Sequence, residues 1–204
     1  DRFRKTGHPS DITTLRASGF GTFAESDDAE AIFCEDGLLK RSISSYITVC
    51  PELQKAIENN KVQGYMFPMG PILQLYSAVG RGMKGVLSKV GLGTFMDARY
   101  DGGKCNELTK QQGEDLVEYV PDFRGEEYLW YKSPGMNIAF LRGTTADIHG
   151  NISSEKEPIN VETKDVALAV KSSGGIVIVQ VEKLVDLHEI HPRMVSIPGI
   201  YVDY

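Results

Sequence analysis

Apolar residues recur along the chain in two rhythms, every second position in short β-branched runs and every third or fourth in the stretches between them. That alternation is expected of strands and helices in turn. Residues 11–17 (DITTLRA) predict a strand with the glycine turn SGFGTF behind it, and Asp27 and Asp28 open a short helix-like AEAIF. LLKRSIS predicts the next strand. Pro51 starts the helix PELQKAIENN, with Leu53 and Ile57 on one face and an asparagine pair at its close. VQGYMF is then a strand, FPMG breaks it, and Ile72, Leu75, Tyr76 and Val79 fall at helical spacing in PILQLYSAV.

From residue 79 to 107 glycine is too frequent for a long helix, so loops with short strands such as GVLSKV are expected. EDLVEYV and EEYLWYK, separated by PDFRG, predict a hairpin with aromatic residues against a packed surface. MNIAFLRG reads as a buried strand ending in the turn residues of TTADIHGNIS, and VETKDVALAVKSSGG as an amphipathic helix closed by a glycine pair. IVIVQVEKLV begins as an unbroken apolar run, the pattern of a strand covered on both faces, and is expected as a central strand. HPRMVSIPGIYVDY supplies a turn and a last strand. The whole predicts an α/β fold, an open and mostly parallel sheet flanked by helices, with the middle hairpin antiparallel.

Composition bears on function more than on fold. At 204 residues, 41% hydrophobic and 25% charged, the chain can bury a core as a single α/β domain spanning 1–204. Its net charge of −6 and the lack of any basic run make nucleic acid an unexpected partner. Cys34, Cys50 and Cys105 are odd in number, widely spaced and without a C-x-x-C, which excludes a disulfide framework and points to a reducing, cytoplasmic setting. No apolar run approaches the roughly 18 residues of a membrane span, so no membrane partner is expected. The opening DRFRKTGHPSD reads as the end of a helix running into a loop, and a chain beginning with Asp1 is expected to be a piece of a longer one.

Several motifs bear on chemistry. Gly80, Gly82 and Gly85 spell G-x-G-x-x-G, but a dinucleotide fingerprint follows a strand and opens a helix, whereas this one follows a helical pattern. Gly91-Leu92-Gly93-Thr94 follows a predicted strand, where bare backbone amides can meet an anionic or carbonyl ligand; a purely structural turn is the alternative. His188 and His191 are three apart, yet Pro192 disfavours a helix there and nothing completes a ligand set, so no metal site is assigned. Asn151-Ile152-Ser153 is read as a turn, and there is no G-x-S-x-G. Residue patterns alone stop at an α/β domain.

Taken together, KTGHPSDIT, the run VQGYMFPMGPILQLYSAVGRGMKGVLSKVGLGTFMDARYDGGKCNE, then EEYLWYK, FLRGTTADIHGNISSEKE, SGGIVIVQVE and HPRMVSIPGIYVDY resemble the family I coenzyme A transferases. The likeness is to the amino-terminal half of the single-chain bacterial type acting on short-chain acyl-CoA and acetate or propionate, and it spans nearly all 204 residues. RGTTAD-x-x-GN-x-x-x-EKE with KVGLGTF-x-D is its most specific combination.

The resemblance implies an open α/β half that works with a second such half. A glutamate of that second half attacks the acyl-CoA thioester, giving an acyl-glutamyl anhydride and CoA thiolate, and then a glutamyl-CoA thioester from which an acceptor carboxylate leaves as the new acyl-CoA. Coenzyme A is thus a substrate, no cofactor is held permanently, and the partners are acyl-CoA, a short-chain carboxylate, the second α/β half and, as a homo-oligomer, further copies. The family's glutamate lies in a Glu-Asn-Gly-like turn; the nearest string here, residues 57–60 (IENN), ends a predicted helix. The nucleophile is therefore expected beyond residue 204, no catalytic residue is assigned within the chain, and the family's first strand and glycine loop are expected before residue 1.

What the resemblance assigns to this chain is the wall facing that glutamate. Met69 and Gly70 of FPMG fall where relatives carry Pro-Gln-Gly, whose glutamine positions the nucleophile. A thioether donates no hydrogen bond, so Met69 implies a more apolar acyl pocket or another donor; core filler at a turn is the alternative. Gly91, Gly93, Thr94 and Phe95 correspond to the loop lining the acyl pocket, and the two segments are expected to converge at the carboxyl ends of neighbouring strands. Thioester hydrolysis within the same family, or a non-catalytic ligand-binding domain of the same fold, are the other readings.

Overall fold

The structure, a computed structural model, describes residues 2–18, 31–48, 50–159 and 162–204. The first elements are α1 (Arg2–Thr6), β1 (Ile12–Arg16), β2 (Leu39–Ser44), α2 (Pro51–Glu58), β3 (Gln63–Met66), α3 (Met69–Gly80) and β4 (Gly85–Ser88). There follow α4 (Glu107–Gln112), the hairpin β5 (Val117–Phe123) and β6 (Glu126–Lys132), β7 (Ile138–Arg142), β8 (Thr145–Asp147) and β9 (Ile152–Ser153). The chain closes with α5 (Thr163–Ser172), β10 (Ile176–Gln180), β11 (Lys183–Val185) and β12 (Val195–Ile197). This is the mixed α/β architecture with parallel strands and flanking helices that the sequence predicts. Its contacts make a finer division than one domain: one compact unit holds residues 1–72 and 87–132, the other 73–86 and 133–204. Among the described residues no helix is long and apolar enough to cross a membrane.

In the first unit β1, β2 and β3 lie in that order and run parallel, Leu15 beside Ile43 and Ile43 beside Tyr65. Helix α2 covers them because Leu53, Ala56 and Ile57, at i, i+3 and i+4, form one buried stripe that packs with Leu39, Cys50 and Val62. Pro51 opens that helix, where a missing N–H leaves no bond unmade. Gly64 lets α2 come down on β3, since a Cβ there would lie 2.8 Å from the Ile57 Cγ2. The outer edge of β3 is closed by a loop: Tyr65 and Lys104 form an antiparallel bridge, Met66 N–H donates to the Gly103 carbonyl (2.8 Å) and Cys105 N–H to that of Gly64 (2.9 Å). Asn106 fastens this loop, its Nδ2 donating to the carbonyls of Ile57 (2.6 Å) and Val62 (3.0 Å) while its Oδ1 caps α4 by accepting Thr109 N–H (3.1 Å). Strands β5 and β6 pair antiparallel, Val117 beside Tyr131 and Tyr119 beside Leu129, and alternation buries Leu129 and Tyr131. β4, whose Leu87 and Ser88 belong to this unit, completes the order β4-β6-β5.

In the second unit β7 and β10 run parallel, with buried Ala139 beside buried Val177 and with α5 against them through Ala167, Ala169 and Val170. The same pair continues as β8 and β11 after one irregularity, where Gly143 N–H donates to the Gln180 carbonyl (2.9 Å) and Glu182 N–H to that of Thr144 (3.0 Å). β9 turns back antiparallel beside β8, and β12 pairs with β9. In the turn between them the buried Asp147 accepts the N–H groups of His149 and Asn151 (both 2.9 Å) and the Asn151 side-chain amide (2.8 Å).

The structure alters three local expectations. β10 is flanked on both edges, by β7 and by the chain end, where Tyr204 N–H donates to the Val177 carbonyl (3.2 Å) and Val179 N–H to that of Tyr204 (2.9 Å). It is not covered on both faces: Ile176 is 43% exposed, and its neighbours Ile138 and Phe140 in the supposedly buried MNIAFLRG are exposed as well. Helix α5 packs on one face, and an unbroken apolar run reads the same whether or not the other is covered. FPMG does not end before the helix, because α3 starts at Met69 and takes Gly70 and Pro71 into its first turn, where proline is tolerated. The described part of AEAIF lies in a 3-10 turn over Ala31–Cys34; Asp27, Asp28, the first two residues of AEAIF and all but the first residue of SGFGTF lie outside the described residues.

Asn106→Ala removes one helix cap and the donors of two buried carbonyls. The expected cost is about 2–4 kcal/mol, read as a lower urea midpoint at unchanged slope. Asn106→Asp keeps the cap acceptor but not the donors and is expected to fall between Ala and the parent.

Candidate functional site

FPMG and KVGLGTF meet. Phe67, which is buried, stands edge-on to the buried Tyr131 ring, centroids 5.3 Å apart at 72°. The Tyr131 hydroxyl donates to the Val90 carbonyl at 2.7 Å. A second link runs through the backbone, Gly103 N–H donating to the Phe95 carbonyl (3.1 Å) while the Gly103 carbonyl accepts from Met66. The expected convergence is therefore found, with one correction: β3 and β4 belong to different sheets, and β6 joins the two segments through Tyr131. Strand periodicity does not say which strands pair, so the break between the β1-β2-β3 and β4-β6-β5 sheets is not visible in the sequence.

The loop itself is built around Asp97, which is fully buried. Its Oδ2 accepts Gly93 N–H (2.9 Å), its Oδ1 accepts Arg99 N–H (3.0 Å), and the Arg99 guanidinium binds both oxygens, Nη2 at 2.7 Å and Nε at 3.1 Å. The Arg99 bonds, against the opposing effect of burial and with help from the two backbone N–H groups, hold the Asp97 carboxyl down at about 2. Arg99 in turn lies 4.0 Å over the Tyr119 ring and 3.8 Å from the Glu127 carboxylate, both on the hairpin. Burial, and to a smaller degree the Asp97 charge, push the Tyr131 hydroxyl pKa up, so it stays protonated and keeps donating to Val90.

These bonds decide what the loop offers a ligand. Leu92 N–H goes to the Lys89 carbonyl (3.2 Å), Gly93 N–H to Asp97, and Thr94 N–H to the Gly91 carbonyl (3.1 Å). The expectation of bare amides meeting an anion or carbonyl does not hold at these three residues, since local turn bonds take them. What the loop contributes is shape. Gly91 has φ +99°, and a Cβ there would lie 2.5 Å from the Tyr131 hydroxyl; Gly93 has φ +70° and open space where a Cβ would point. Thr94 is exposed and its hydroxyl donates to the Gly91 carbonyl (2.7 Å).

Met69 and Phe95 are each 42% exposed, so Met69 is no core filler, and Gly70 beside it has open space over its Cα. Asp97, Tyr131 and Gly103 were missed by sequence reasoning as site-forming residues. Asp97 is the last residue of KVGLGTF-x-D and Tyr131 an apolar-phase position of EEYLWYK, but only the fold shows that each touches the loop. On the hairpin side Arg99 and Tyr119 border a cleft of about 690 Å³. Its lysines are paired, Lys104 with Asp115 (2.6 Å), Lys110 with Asp101 (3.0 Å) and Lys132 with Glu118 (2.5 Å). Among the described residues no group of histidine, cysteine and acidic side chains is placed to hold a metal, and His191 Nδ1 accepts Arg193 N–H (3.2 Å).

A family model described as coenzyme A transferase matches residues 11–204. Caffeate CoA-transferase of Acetobacterium woodii is 42% identical over 205 residues, which cover 100% of this chain and 38% of that protein. Acetate CoA-transferase YdiF of Escherichia coli K12 is 36% identical over 203 residues, covering 100% of this chain and 37% of its own. The crystal structure of the acyl-CoA transferase YdiF of E. coli O157:H7 as a thioester complex with CoA superposes with a TM-score of 0.91 at 35% identity, over 99% of this chain and 40% of that one. The chain thus spans well under half the length of these relatives.

Two measurements check the geometry. Asp97 titrates at about 2 here against about 3.9 in an unfolded chain, so its stabilisation is complete above pH ~4 and is lost as pH falls toward ~2. The stability difference between the parent and Asp97→Asn is expected to shrink over that window in urea titrations. Gly91→Ala is expected to destabilise through both its positive φ and the Tyr131 hydroxyl. In the Tyr131→Phe background the 2.5 Å approach is gone while the φ cost and the Leu129 contact at 3.2 Å remain, so a double-mutant cycle should be clearly non-additive.

Proposed function

The chain belongs to the coenzyme A transferase family, and from that premise we propose that it is the amino-terminal part of an enzyme moving CoA between a short-chain acyl-CoA and a carboxylate such as acetate, with the nucleophilic glutamate outside residues 1–204. The observation that supports this reading is the chain of contacts Phe67–Tyr131–Val90, which links the segment carrying the exposed Met69 to the start of the Gly91–Phe95 loop. Coenzyme A is the substrate, no cofactor is resident, and the partner is the remaining α/β half, on the same or another chain, in the cytoplasm.

In this reading a glutamate oxygen bonds to the thioester carbonyl carbon, the C–S bond breaks, and CoA leaves as thiolate. The thiolate then attacks the glutamyl carbonyl of the anhydride, releasing the acyl carboxylate and leaving glutamyl-CoA, and the acceptor carboxylate repeats the steps in reverse. A carboxylate is a weak nucleophile, so the site must orient it and exclude water. Gly93, with no side chain, leaves room for the carbonyl to approach, and Phe95 and Met69 make that approach apolar. Met69 donates no hydrogen bond to the incoming carboxylate, so the donor that a glutamine supplies in relatives comes from elsewhere or is dispensed with.

Exchange of labelled acetate with an acyl-CoA donor tests the reading. The 204-residue chain alone is expected to show no turnover, and the polypeptide that joins it to the remaining half to show sustained exchange. Thioester loss without an acceptor would make the enzyme a hydrolase, and turnover by the isolated chain would remove the shared-site reading. In the complete polypeptide, Met69→Gln is expected to change kcat while leaving Tm unaltered, because the side chain is not in the core.

A further inference from the structure

We propose that Asp97 is a positioning residue for acyl transfer, fixing the Gly91–Phe95 loop in the shape the substrate carbonyl approaches by binding Gly93 N–H with one oxygen and Arg99 with both. This rests on the transferase reading above and adds to it the group that presets the pocket wall.

Three observations carry it. Gly93 adopts φ +70° with nothing near the place of a Cβ, so no side chain of its own and no neighbour packed against it restrains its backbone. Glycine left to itself samples both signs of φ. The bond from Gly93 N–H to the Asp97 Oδ2, at 2.9 Å, is the restraint that reaches it from outside the tip. The second observation is where that restraint is anchored. Asp97 is held by Arg99, and Arg99 lies against Tyr119 and Glu127 of the β5–β6 hairpin, the strand pair that also supplies Tyr131 to Val90 and to the Gly91 Cα. The loop is thus tied to the hairpin at its start, at Val90 by Tyr131, and at its tip, at Gly93 by way of Asp97 and Arg99.

Third, Asp97 is fully buried, and so cannot touch a substrate, while its partner Arg99 is partly exposed. A buried ion pair yields little net stability compared with apolar residues of the same volume. What it supplies is direction, because a guanidinium bound to both oxygens leaves the carboxylate one orientation in which to meet Gly93 N–H. The pair therefore converts a flexible glycine tip into a preset surface, the kind of placement on which rates of group transfer depend steeply.

The test compares Asp97→Ala, Asp97→Asn and Arg99→Gln with the parent. In the 204-residue chain, Asp97→Ala is expected to speed hydrogen exchange at Gly93 N–H by about ten- to hundredfold, the factor for losing a hydrogen bond to a charged group, while exchange at buried β2 residues such as Ile43 stays as in the parent. In the complete polypeptide the same variant is expected to lower kcat by a similar factor with the KM for acyl-CoA little changed, since a misplaced loop affects the reacting carbonyl and not the remote CoA handle. Asp97→Asn keeps an oxygen for Gly93 N–H and should recover part of both losses; Arg99→Gln should fall between. If Asp97→Ala does not fold, the Asn and Gln variants carry the comparison. Unchanged Gly93 exchange, or faster exchange with unchanged kcat in an active complete enzyme, overturns the proposal and leaves the transferase reading standing. A fall in activity that only tracks lost Tm, with no rescue by Asn, also overturns it. Absence of exchange activity in the parent polypeptide overturns the transferase reading first and the role of Asp97 with it.

Discussion

The first unit depends on how the outer edge of β3 is closed. A strand at the end of a parallel sheet leaves a row of N–H and carbonyl groups that must find partners. Here residues 103–105 supply them, with Met66 bonded to Gly103 and Cys105 to Gly64. Gly103, at φ +76°, could not carry a side chain there, because a Cβ would lie 2.6 Å from the Met66 carbonyl. This closure fixes where the chain has to be after the glycine-rich stretch, and so links Phe95 to the end of β3 by two hydrogen bonds through Gly103. Everything assigned to the candidate site follows from that placement.

The site is made by two kinds of packing. Aromatic contacts between Phe67 and Tyr131 set the distance between its halves, and charge-assisted hydrogen bonds at Asp97 set the inner shape of the loop. Both act from beneath, leaving Met69, Thr94 and Phe95 exposed. The second unit uses an aspartate differently. In RGTTADIHGN, Asp147 spends its oxygens on three N–H donors of its own turn, a structural task.

How far the sequence was legible follows from where each rule applies. Periodicity and turn chemistry are local, and they located α2, α3, α5 and the β5–β6 hairpin to within about three residues, β5 running on through Phe123 into PDFRG, because Pro51 and the i, i+3, i+4 stripes act within a few positions of themselves. The resemblance located Met69, Gly70, Gly91, Gly93, Thr94 and Phe95 as segments to watch. It did not say that the loop amides would be taken by Lys89, Gly91 and Asp97, since that depends on how a glycine-rich tip curls.

The sequence by itself determined the class of fold, the order of its elements and the family, since these are carried by the spacing of apolar residues and by strings of residues that survive without coordinates. Tertiary structure alone decided which face of β10 is covered, that Tyr131 of one strand supports the loop after another, and that Asp97 is buried under Gly93. An apolar or acidic residue announces that it needs a partner, whereas the partner's identity is set by how the chain folds: across the 41 residues that separate Val90 from Tyr131, or within the four that separate Gly93 from Asp97 in a glycine-rich turn without periodicity.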